Sequence, residues 1–113
     1  MTKKELNEAA AAAVATWVNS KQRGLVLVAR ALNARDAVKA LNEAYPEPFR
    51  GRWVYTGNEA RGYKFGIVTR IGARGTVYVK RQRRTMGLSK ERHFASKGDW
   101  PKFAIEKPHC WDI

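Results

Sequence analysis

The chain has 113 residues, with 22 Lys and Arg against 10 Asp and Glu, a formal net charge of +12 and a pI near 10.4. That length supports one domain, and the 44% hydrophobic content with four Trp predicts a folded core rather than a disordered basic tail. No stretch approaches the roughly 18 apolar residues of a membrane span, Cys110 alone cannot build a disulfide scaffold, and the start lacks an apolar signal core, so a cytoplasmic setting without a membrane partner is expected.

Thr2 stands three residues before Glu5, the spacing of a capping box. Leu6, Ala9, Ala10, Ala13, Val14 and Trp17 then recur at helical spacing, predicting an amphipathic helix over 3–19 whose alanine-rich stripe permits close packing. Residues 25–32, Leu-Val-Leu-Val-Ala-Arg-Ala-Leu, are ambiguous. Their branched apolar residues favour a buried strand, while Ala29 to Leu32 suit a helix; the strand is the preferred reading. Asn33 is a good N-cap for a helix over 34–45, with Ala34, Val38, Leu41 and Tyr45 on one face and Pro46 and Pro48 ending it.

From residue 51 the period changes to alternation. Residues 52–56 read as a strand with a turn over 57–62, and 63–71 and 76–82 as two more strands joined by Gly72-Ala73-Arg74-Gly75. Pairing Ile71 with Thr76 sets Thr69 opposite Tyr78 and Phe65 opposite Gln82. The preferred arrangement buries the Tyr63, Phe65, Ile67 and Ile71 face and leaves the Lys64, Arg70, Arg81 and Arg83 face open. Residues 81–98 lose periodicity and read as a long basic loop with one helical turn near 89–94, and Phe103-Ala104-Ile105 as an edge strand. The expected fold is α+β, a single domain with two helices packed on an antiparallel sheet of three to five strands: 1–49 mainly helical, 50–98 a basic hairpin and loop region, and 99–113 an edge segment.

The charge is concentrated in one place. Residues 1–49 carry a net +2, residues 50–98 a net +11 with Glu59 and Glu91 their two acids, and residues 99–113 a net −1. Within 50–98, nine Arg outnumber four Lys, and Arg suits bidentate phosphate recognition. Such a block draws polyanions, so nucleic acid, DNA or RNA, is the expected partner. The candidate contacts are Lys64, Arg70, Arg74 at the hairpin tip, Lys80, Arg81, Arg83, Arg84, Lys90 and Arg92, with Trp100 or Phe94 stacking on bases. Neutralising five to eight phosphates would give a salt slope of roughly −4 to −7.

Enzyme signals are thin. His109, Cys110 and Asp112 lack the ligand spacing of a structural zinc site, the basic region is poor in carboxylates, and there is no P-loop or G-x-G-x-x-G. No catalysis, metal or cofactor is expected. The alternative is an adaptor or inhibitor of phage or mobile-element type that docks on an acidic protein or a nucleic-acid enzyme, and an exposed apolar patch beside the basic face would favour it.

Overall fold

The computed structural model describes residues 1–58, 60 and 62–95. Helix α1 spans Lys3–Val18 and opens with the capping box, Thr2 Oγ1 accepting from the Glu5 N–H at 3.2 Å and Glu5 Oε1 from the Thr2 N–H at 3.0 Å. Helix α2 spans Leu25–Ala44 without a break. The strand expected over 25–32 is therefore helix, and Asn33 lies inside α2 rather than at its start. The reason is a stripe at Leu27, Ala31, Ala34, Val38 and Leu41, whose helical spacing runs straight past the exposed Asn33. Tertiary packing along that stripe overrides the local β preference of Leu25 to Val28.

Among the described residues five antiparallel strands follow: β1 (Trp53–Asn58), β2 (Gly62–Ile71), β3 (Val77–Arg83), β4 (Gly87–Leu88) and β5 (Arg92–Ala95). Their order is β1-β2-β3-β4, with β5 also pairing with β3. The 81–98 loop and its helical turn are thus replaced, as far as Ala95, by a return of the chain along β3. Gly87, at φ 70°, lets Arg83 pair with Gly87 and Gln82 with Leu88. The edge strand expected at Phe103–Ile105 lies outside the described residues.

The hairpin register matches expectation from Phe65↔Gln82 to Val68↔Val79 and then slips. Beyond Val68 the partners become Arg70↔Tyr78 and Ile71↔Val77, so Thr69 is the extra residue of a β-bulge rather than the partner of Tyr78. A bulge shifts every later side chain to the other face. Arg70 therefore leaves the Lys64, Arg81 and Arg83 face and joins Tyr78.

Two helices cover one side of this sheet. Ala10, Val14, Ala34, Val38, Tyr55 and Phe65 form the core there, with Trp17, Trp53 and Tyr63 packed against it. Trp17 meets Phe65 edge to face, with centroids 5.1 Å apart. The expected burial holds for Phe65, whereas Ile67 is half-buried, and Ile71, moved by the bulge to the face of its partner Val77, is exposed. The opposite face is not open throughout either: Val54, Val68, Val77 and Val79 form a second buried cluster with Phe94 and Ala95.

Arg52 joins the layers from inside. Its fully buried guanidinium donates to the Tyr45 carbonyl at 2.8 Å, to the Glu47 carbonyl at 2.6 Å and to Asn42 Oδ1. Burial lowers its pKa to about 10, well above neutrality, so the charge persists at physiological pH. Asn7 of α1 ties down the neighbouring strand, donating to the Gly51 carbonyl and accepting from the Trp53 N–H. Removing Arg52 leaves the buried Asn42 Oδ1 and two partly buried carbonyls without these partners around a cavity. Arg52→Ala is expected to lose about 3 kcal/mol of stability in urea unfolding, and an unchanged midpoint would refute the clasp. Gly57, in β1 at φ 101°, offers a second check: an added Cβ would collide with the Gly62 carbonyl. Gly57→Ala should cost at least about 2 kcal/mol by the same measurement.

Candidate nucleic-acid interface

Strand β3 sorts the basic residues. Val77, Val79, Arg81 and Arg83 project to one face, and Tyr78, Lys80 and Gln82 to the face that carries the helices. On the first face the apolar half of the strand is fully buried and the basic half only partly. There Arg81, Arg83, Ser89, Lys90 and Arg92 line a depression of about 310 Å³. Ser89 fixes the wall: its hydroxyl accepts from the Arg81 N–H at 2.9 Å, and its own N–H donates to the Arg81 carbonyl at 2.8 Å. No carboxylate lines the depression among the described residues. Lys64 belongs to the same face, one position past the Phe65↔Gln82 pair.

The other expected contacts are dispersed. Arg70 lies over the Tyr78 ring at 3.8 Å and pairs with Glu91 at 3.0 Å. Arg84 donates to the Ser20 carbonyl at 2.8 Å and lies 5.9 Å from the Trp17 ring, bracing the β3–β4 turn against the α1–α2 loop. Lys80 sits on the helix-bearing face opposite Ile67, and Arg74 is exposed at the β2–β3 tip. Phe94, expected as a stacking residue, is fully buried in the second cluster. Trp100 lies outside the described residues, as do His109, Cys110 and Asp112. Among the described residues no three His, Cys, Asp or Glu side chains converge as metal ligands, and no helix is long and apolar enough to cross a membrane.

Sequence reasoning missed two supporting residues, Ser89 and Glu91. The Glu91 carboxylate accepts from the Thr69 hydroxyl at 2.7 Å and from Arg70 Nε at 3.1 Å. These bonds fasten the segment carrying Lys90 and Arg92 across β3 to the β2 bulge. No local signal marks them, since the contact spans more than twenty residues and depends on the bulge. The Thr69 hydroxyl and then the Arg70 guanidinium hold the Glu91 carboxyl below its usual value of 4.5.

No protein-family model, characterised protein or solved structure matches the chain, so the surface must be interpreted from its own chemistry.

The Glu91 clamp has a defined pH window. A carboxyl whose folded pKa is lowered contributes fully above pH 4.5, and its contribution is lost as pH falls through the lower folded value. Glu91→Gln at neutral pH should therefore reproduce the acid behaviour of the native chain, with faster amide exchange along β5 and little change in the urea midpoint. Unchanged exchange would exclude the clamp.

Proposed function

We propose that the chain is a non-catalytic nucleic-acid-binding protein that contacts phosphates through the basic depression of β3 and the 89–92 segment. One observation carries this reading: three guanidinium-bearing side chains and a lysine converge on a concave surface with no acidic residue lining it among the described residues. Arg forks match phosphate oxygens bidentately, and Lys90 adds a point charge. The exposed Arg74 at the hairpin tip extends the positive field toward the same polyanion.

A specific feature favours the second reading, an adaptor or inhibitor that docks on an acidic protein. Leu25, Val26 and Val28 at the start of α2 are 87%, 43% and 53% exposed, an apolar surface that phosphate binding does not need. Salt dependence separates the two readings. Four phosphate contacts give a slope of log K against log salt between about −3 and −4. Arg81→Glu with Arg83→Glu should flatten that slope by about 2 in anisotropy titrations against duplex DNA, single-stranded DNA and duplex RNA. Lys4→Glu with Lys39→Glu, an equal charge change on exposed helix positions, should leave it nearly intact. Equal losses in the two double variants would refute a site on β3, and weak binding that vanishes alike for all three nucleic acids would favour the protein partner.

A further inference from the structure

Among the described residues, the cations of the 50–98 segment divide between the two faces of the sheet. Arg70 and Lys80 lie on the helix-bearing face, and Arg84 braces the helix loop. Arg81, Arg83, Lys90 and Arg92 instead surround one depression. Arg81 and Arg83 are two residues apart on one strand, about 7 Å along it. At Arg83 the chain turns back into β4, and Arg83 Nη1 reaches Met86 Sδ at 3.6 Å. Each phosphodiester of an internal nucleic-acid backbone carries a single charge, so a passing strand offers four clustered cations little charge at one point. A terminal phosphomonoester carries about −1.5 to −2 at neutral pH and presents three acceptor oxygens.

Resting on the nucleic-acid reading above, we infer that the depression receives the phosphorylated end of a nucleic-acid strand rather than its internal backbone. Arg81 and Arg83 grip the terminal phosphate from the strand side, and Lys90 and Arg92 close on it from the 89–92 segment. The Ser89 hydroxyl is engaged with the Arg81 N–H and the Lys90 carbonyl, so its role is to hold the wall in place.

The test compares one short oligonucleotide sequence carrying a 5′-phosphate, a 3′-phosphate or hydroxyls at both ends, titrated against the full chain by anisotropy. One phosphorylated end should bind about tenfold tighter than the hydroxyl form, as expected for new charge-assisted hydrogen bonds. Arg81→Glu with Arg83→Glu should erase that advantage. Lys90→Ala, at an exposed position off the core strands, should reduce it without threatening the fold. Equal affinity for all three oligonucleotides overturns the strand-end assignment. If the salt slope still responds to Arg81 and Arg83, the broader nucleic-acid reading survives that result; if no oligonucleotide binds, both fall. A nucleoside monophosphate that competes as well as the phosphorylated oligonucleotide also overturns the assignment, because the depression would then recognise a free nucleotide.

Discussion

The alternation of β3 is the constraint on which both core and candidate site depend. This strand pairs with β2 along one edge and with β4 and β5 along the other. A strand has a side-chain period of two, so a slip of one residue would exchange its faces. Val77 and Val79 would leave the buried cluster, and Lys80 and Gln82 would take the places of Arg81 and Arg83. The packing of Val68 and Val79 on one side and of Phe65 under the helices on the other penalises that slip. The hydrophobic free energy that fixes the register therefore also fixes which cations share a surface, and the site needs no separate organising device on β3 itself.

Where local chemistry determined the structure, it was legible in the residues. The capping box of α1, the stripe from Ala34 onward and the hairpin pairing from Phe65 to Val68 all rest on short-range spacing. The departures arise where a distant contact decides. Leu25 to Val28 have strand-like composition, yet Leu27 and Ala31 extend the α2 stripe by two turns, and Asn33 is only an exposed residue on the far side. Strands β4 and β5 are too short to display alternation, and Gly87 gives the turn away only once β3 is known to continue to Arg83. The Thr69 bulge is set by a hydroxyl reaching the Tyr78 carbonyl at 3.4 Å and Glu91, partners that no sequence window brings together.

The bulge is one reason the candidate site is smaller than the charge count implied. A net +11 over 50–98 reads as one polyanion surface, but folding assigns much of it to internal work. Arg52 is consumed in the clasp around Asn42, Tyr45 and Glu47. Arg70 is turned to the helix-bearing face and paired with Glu91, and Arg84 satisfies a loop carbonyl. A guanidinium has five donors on a planar head, so a fold short of side-chain donors for buried carbonyls recruits Arg readily, whatever the chain binds. Segment charge thus sets an upper bound on phosphate contacts.

That partition bears on specificity as well as affinity. Cations spread along a groove act mainly through counterion release, which any duplex satisfies and salt weakens. Cations gathered around one depression meet a ligand of limited size, and those that find no bidentate partner there remain desolvated at a cost. On the proposed reading, holding the 89–92 segment through Glu91 and Ser89 before any ligand arrives would lower the ordering entropy of binding. On the proposed reading, a preorganised cluster of a few cations would discriminate among phosphates by charge density and geometry, while the remaining positive surface would supply the long-range attraction that delivers them.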